Sequence, residues 1–187
     1  GIVTHCCESY DQSVASRRTS RFTDVARLEA LGVLGPEMVL IQMGWASPEE
    51  IALAQRHKFK ISYTPTTGYR IALGDSTFGH FPEMAALGVT VALGGNSAMS
   101  SNHLDLVRVM ALGAGMMRSS RLNPFIFPPE QMLEMATING AIAIVNAMHD
   151  PGAFYAEVPQ RFRHWSKPLV VKNAQNLVCL PSVKVHR

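Results

Sequence analysis

At 187 residues, with 47% hydrophobic and 17% charged side chains, the chain has the composition of a globular protein with a large buried interior, not of a disordered one. Its net charge of +3 comes from scattered lysines and arginines, which gives no basic stripe to track a phosphate backbone. Its apolar runs all break well before the roughly 18 residues of a membrane-spanning helix. Neither nucleic acid nor membrane is therefore expected as a partner. The odd count of 3 cysteines, with Cys6 and Cys7 adjacent, does not build a disulfide framework and fits a reducing, cytoplasmic setting.

In chain order, Gly1-Ile-Val-Thr-His5-Cys-Cys-Glu8 predicts a short buried strand that runs into a loop. No signal peptide is expected, because Gly1 opens directly into this core strand. Ser9 to Ser20 is polar and predicts irregular chain. Asp24 to Leu31 has helical apolar spacing at Val25, Leu28 and Leu31, closed by Gly32 and Gly35. Met38 to Trp45 is a second strand. Ser47-Pro48-Glu49-Glu50 is a strong helix start, with Ser at the N-cap, Pro in the first turn and Glu completing a capping box. Phe59 to Thr64 is a third strand, which Pro65-Thr-Thr-Gly68 breaks into a loop. A Gly-rich connection follows, then a short helix over Pro82 to Leu87, with Gly88 as its stop.

Val89-Thr-Val-Ala-Leu93 is a β-branched apolar run ending in Gly94-Gly95, and Asn96-Ser-Ala-Met-Ser-Ser-Asn102-His-Leu-Asp105 then leads into apolar residues at helical spacing. Strand, loop and helix thus recur four times between Gly1 and Met110, the signature of parallel strands joined by right-handed crossovers. The fold class is α/β, a partial (β/α) barrel of about four units; a whole barrel of eight typically needs about 250 residues. Pro128-Pro129-Glu130 starts another helix, running through Met132, Met135, Ile138 and Ile142. The methionines of these helical segments are expected in the packing. Beyond Asp150-Pro151-Gly152 the pattern fades, and Leu169 to Val171 and Leu177 to Leu180 suggest two short strands. Arg161, Arg163, His164 and Lys167 suggest a solvated basic stretch.

The order of these strand ends resembles the amidohydrolase superfamily, in the branch of cytosine, guanine and 8-oxoguanine deaminases and triazine hydrolases. The resemblance covers roughly Gly1 to Ala147. It implies the C-terminal half of a metal-dependent barrel over residues 1–147, with a short tail over 148–187 that is either irregular or the remnant of a small β-sandwich, whose usual glycine-rich signature is not found there. It further implies a divalent zinc or iron ion and a small heterocyclic amine as substrate. His5-x-x-Glu8 stands where the family has a metal-binding His and a proton-shuttling Glu, although His-x-x-Glu alone is more often structural than catalytic.

Three positions depart from the family pattern together. Gln42 stands at the sixth-strand His, in a frame otherwise kept by Val39-Leu40-Ile41, Trp45 and Ser47 to Ile51; an amide hydrogen-bonds a ring but neither binds metal as imidazole does nor exchanges protons near neutral pH. Tyr63 stands at the seventh-strand His ahead of Pro65-Thr66-Thr67, with Gly68 where Asn is common. It either donates a hydrogen bond to a ring or simply caps the barrel mouth. Asn96 stands at the Asp that binds metal and takes the proton of the attacking water; losing that base costs about 10² to 10⁴ in rate. No His-x-His pair occurs anywhere in the chain.

Two readings follow. In one, this is a fragment or degenerate member in which metal-dependent carbon–nitrogen hydrolysis is lost or strongly impaired, and which associates with itself through unpaired strand edges as a homo-oligomer. In the other, it is an active aminohydrolase once a missing N-terminal half supplies the His pair. Glu8 would then shuttle protons, His5 would hold the metal, and Gln42, Tyr63 and Trp45 would orient the ring.

Overall fold

The computed structural model describes residues 1–147, 170–172 and 177–179. It contains two compact units, Gly1–His149 and Asp150–Arg187. In the first, β1 (Ile2–Cys6), β2 (Met38–Gln42), β3 (Lys60–Tyr63) and β4 (Val91–Leu93) form one parallel sheet in sequence order. Between them lie α1 (Tyr10–Ser20), α2 (Asp24–Ala30), α3 (Pro48–His57), α4 (Pro65–Arg70), α5 (Asp75–Phe78) and α6 (Phe81–Ala86). After β4 come α7 (Ala98–Ser101), α8 (Leu106–Arg121), α9 (Pro129–Ala136) and α10 (Ile138–Ala147). The order β1-β2-β3-β4, each strand returning parallel through a helix, is the barrel-type α/β succession expected from the sequence. In the second unit, β5 (Val170–Lys172) and β6 (Leu177–Cys179) pair antiparallel, at the two short strands anticipated there. The basic stretch and most of the suggested β-sandwich remnant lie outside the described residues.

Strand alternation divides the sheet into two faces. Register pairs Leu40 with Ile61 and Ile61 with Val91, all on the face buried in the main core with Val25, Ile51, Phe59, Met84 and Val109. Val39 and Ala92 lie on the other face, where Ala143 of α10 packs on them. β1 is the outer strand on one side, and its Ile2 and Val3 are 44% and 59% exposed.

Local chemistry explains where the elements differ from expectation. Ser9 to Ser20 is helical and not irregular: Ser9 caps α1 by accepting from the N–H of Gln12, Asp11 lies in its first turn, and Arg17 and Arg18 lie in its last. The helix buries no side chain, so its sequence carries no apolar period to be read. Pro65 to Gly68 is likewise not a loop but the start of α4, because Pro at the first turn gives up an amide the helix does not need there. The helix expected from Pro128 onward is two helices, α9 and α10, divided at Thr137, whose φ of −126° and ψ of −79° are not helical. The capping box of α3 forms as expected, Ser47 accepting from the Glu50 N–H and Glu50 from the Ser47 N–H.

Candidate functional site

In a parallel sheet chemistry gathers at the C-terminal strand ends. β1 delivers His5, with side chain 39% exposed and Nδ1 3.6 Å from Glu8 Oε2. Glu8 in turn donates its backbone N–H to Gln12 Oε1 at 3.1 Å, so the pair is anchored to the start of α1. Cys6 follows His5 on β1 and, by alternation, points to the opposite face, where it is 3% exposed.

β2 ends in two left-handed residues, Gln42 (φ 79°) and Met43 (φ 61°), which turn the chain so that Met43 and Trp45 donate their N–H groups to the Cys6 and Cys7 carbonyls, each at 2.9 Å. Gln42 is 0% exposed, and neither its Nε2 nor its Oε1 has a hydrogen-bond partner among the described residues. Trp45 is half-buried; its indole N–H donates to the Leu73 carbonyl at 2.6 Å, and its ring lies between Tyr10 (centroids 5.3 Å apart) and Phe78 (4.6 Å).

Tyr63 closes β3 in the main core, stacked on Phe81 at 3.9 Å between centroids. Its hydroxyl has no partner among the described residues, and burial, with the nearby Asp75 charge, holds its pKa well above the usual phenol range. Beside it the hydroxyls of Thr64 and Thr66 are buried and unpartnered among those residues. β4 runs through Gly94 to Asn96, a left-handed residue (φ 60°) whose amide Nδ2 donates to Thr67 Oγ1 at 3.2 Å.

The residue at the centre of this polar zone was not singled out from sequence. Asp75, at the start of α5, is 1% exposed, and neither carboxylate oxygen has a side-chain or backbone partner among the described residues. Burial pushes its pKa up from 3.8 to about 6; the nearby backbone N–H groups of Ser76 and Asp75, which do not reach hydrogen-bond geometry with the carboxylate, offset this only in part. Its carboxylate fills the volume a side chain at Gly68 would need, and a Cβ on Gly44 would come within 2.7 Å of Asp75 Cβ. Gly68 therefore departs from the family's Asn for a steric reason: the space is taken. Glycines at 44, 68, 74 and 79 around one acid were the available signal.

The expected residues thus fall into separate groups. His5 and Glu8 pair with each other, and Asn96 joins Thr67. By register Gln42 and Tyr63 share the helix-facing side with Leu40 and Ile61, whereas His5 lies on the opposite face. β1 and β4 are the outer strands, about three strand spacings or roughly 14 Å apart. Among the described residues the one group of three His, Cys, Asp or Glu side chains at metal-ligand spacing is Cys6, Cys7 and Asp24, and it does not include His5.

No family model matches the chain. It is 31% identical over 145 residues to a 5-methylthioadenosine/S-adenosylhomocysteine deaminase of Syntrophomonas wolfei, a match covering 77% of this chain and 33% of the relative. To a 5'-deoxyadenosine deaminase of Methanosarcina mazei it is 29% identical over 144 residues, again 77% of this chain and 33% of the relative. Among solved structures, a zinc-bound adenosine deaminase from Xanthomonas campestris superposes with a TM-score of 0.72 at 21% identity, over 78% of this chain and 32% of that one. The chain belongs to the amidohydrolase superfamily. A zinc-complexed atrazine chlorohydrolase from Arthrobacter aurescens matches in fold with a TM-score of 0.70 at 22% identity, over 77% of this chain and 31% of that one. The chain spans about a third of the length of the curated relatives it matches.

The described residues do not fit the divalent metal of this superfamily. A dication needs several donors converging with negative charge. Here one exposed imidazole is paired to Glu8, while Asn96 offers a neutral amide already turned to Thr67. Gln42 is sealed in the core on the other side of the sheet from His5.

Proposed function

We propose that residues 1–147 form the C-terminal half of an amidohydrolase barrel in which the family's hydrolysis of carbon–nitrogen bonds is lost or strongly impaired. We read residues 148–187 as its tail. The observation that carries this reading is the placement of the four strand-end donors. His5 and Asn96 sit on opposite edges of the sheet, each with a local partner, and Gln42 and Tyr63 are 0% exposed within the core. Neither of the last two can touch a ring substrate without opening the core. Glu8 retains the position and chemistry of a proton carrier but has no activated water to serve.

The test pairs metal analysis with activity. The purified chain is assayed for ammonia release from 5'-deoxyadenosine, methylthioadenosine and adenosine, the heterocyclic amines that the relatives' names indicate. The reading predicts no release above background with zinc or iron supplied; turnover that depends on added metal and on His5 overturns it.

A second reading has its own observation. Ile2 and Val3 present apolar side chains on an outer strand whose free edge has no partner among the described residues, which invites further strands. Under that reading, strands supplied in trans by an N-terminal half of a related deaminase, carrying its His-x-His pair, restore hydrolysis. The same edge supports self-association as a homo-oligomer, and the free thiols of Cys6 and Cys7 fit a reducing, cytoplasmic setting. Among the described residues no helix is long and apolar enough to cross a membrane.

A further inference from the structure

We infer that Cys6, Cys7 and Asp24 form a binding site for a thiophilic divalent cation of the zinc or cadmium class, on the helix-facing side of β1. In an extended strand, neighbouring side chains point to opposite faces, so adjacent cysteines do not ordinarily present their sulfurs together. Here Cys7 is left-handed (φ 48°), which swings its thiol to the side of Cys6 and leaves the two Sγ atoms 3.8 Å apart. Two thiolates at about 2.3 Å from a tetrahedral zinc lie about 3.8 Å from one another. Simple contact between two thiols would explain that separation. It does not explain the carboxylate of Asp24, which comes within 4.8 Å of both sulfurs to give three donors of the right chemistry.

The surroundings hold these donors in place. Asp24 Oδ2 accepts the Cys7 backbone N–H at 3.2 Å, which ties the carboxylate to the cysteine turn. Glu50 Oε1 lies 3.5 Å from Cys7 Sγ while accepting the Val25 N–H at 2.9 Å, and Glu50 Oε2 accepts the Ser47 N–H at 2.9 Å. That carboxylate orients the free Cys7 thiol; once the thiol proton has left, it no longer accepts from Cys7 and instead adds negative charge beside the cation. Cys6 and Cys7 are 3% and 1% exposed, whereas Asp24 is half-buried and marks the side from which an ion enters. On binding, two thiol protons leave to solvent and the cation takes two thiolates and one carboxylate; solvent supplies the fourth position. His5 points away from this site across the strand, so the inference does not rest on the proposed function.

Cobalt(II) titration of the reduced, full-length protein tests it. We expect one equivalent to bind with a thiolate-to-cobalt charge-transfer band. The band should be lost or halved in Cys6→Ser and in Cys7→Ser and retained in Cys179→Ser, and Asp24→Asn should weaken binding by about tenfold or more. Absence of the band, a full band in both serine variants, or unchanged affinity in Asp24→Asn would overturn the site. Zinc should also slow iodoacetamide alkylation of Cys6 and Cys7 in the unmodified protein while leaving Cys179 unaffected. Equal rates with and without zinc at Cys6 and Cys7 would be equally decisive against it, whether or not the variants fold.

Discussion

Asp75 offers the sharpest test of how the strand-end region is built. It is a carboxyl with 1% exposure whose pKa burial raises from 3.8 to about 6. Between those values the native state holds a proton that the unfolded chain has released, so stability is greatest at low pH and falls as pH rises through about 6. A shift of roughly two units corresponds to about 3 kcal/mol, fully lost at neutral pH, where the buried carboxylate must ionise or the protein bear the cost of keeping it protonated. Asp75→Asn removes the charge at nearly constant volume. The variant should be more stable than the parent at about pH 7.5 by about 1 to 3 kcal/mol, the lower figure allowing for an amide that still lacks partners. Below about pH 3 the advantage should vanish, because Asp75 is then neutral in both states. Urea unfolding of the two proteins in parallel isolates this residue, since every other carboxylate is common to both. A stability difference independent of pH would refute the reasoning, as would an Asn variant weaker than the parent at neutral pH. Gly68→Ala supplies the steric counterpart. Its Cβ would meet the Asp75 carboxylate and should cost about 1 to 3 kcal/mol, and much of that cost should disappear when Asp75→Ala is added.

Further outcomes follow from other contacts. Gln42→Met replaces two unpartnered buried amide atoms by a side chain of similar size, and should raise stability by about 1 to 3 kcal/mol in urea titration. Glu50→Ala should cost about 2 to 4 kcal/mol by the same assay, because it orphans the Ser47 and Val25 N–H groups that its two oxygens satisfy at 2.9 Å. Arg121 clamps the connection into α6, binding Glu83 Oε1 at 2.9 Å, the Gly79 carbonyl at 2.7 Å and the Thr77 carbonyl at 3.2 Å. Arg121→Lys keeps the charge but loses the fork, and should lower the thermal midpoint by an amount equivalent to about 1 kcal/mol.

How much of this was legible beforehand depends on which physics wrote it. The four strands were visible because Val39 to Ile41 and Val89 to Leu93 are buried apolar runs, and α3 because its capping box is local chemistry. α1 was hidden for the opposite reason: nothing on it is buried, so its caps and end charges alone define it. The break between α9 and α10 turns on one non-helical residue, Thr137, and Ile138 and Ile142 continue the apolar spacing across it. The family pattern located His5, Glu8, Gln42, Tyr63 and Asn96 along the chain. It could not show that a left-handed Cys7 pairs two thiols, or that Asp75 returns from a Gly-rich connection to lie over Gly68. Those are tertiary facts, carried by single dihedral angles and by the absence of a Cβ.

The central claim, that this barrel half no longer holds the catalytic dication of its superfamily, is met most directly by metal analysis of a Cys6→Ser/Cys7→Ser variant, which removes the thiol site from the count. After purification with zinc and iron present, the account predicts far less than one bound equivalent. A full equivalent of zinc or iron, released by His5→Ala or by Asn96→Ala, would contradict it.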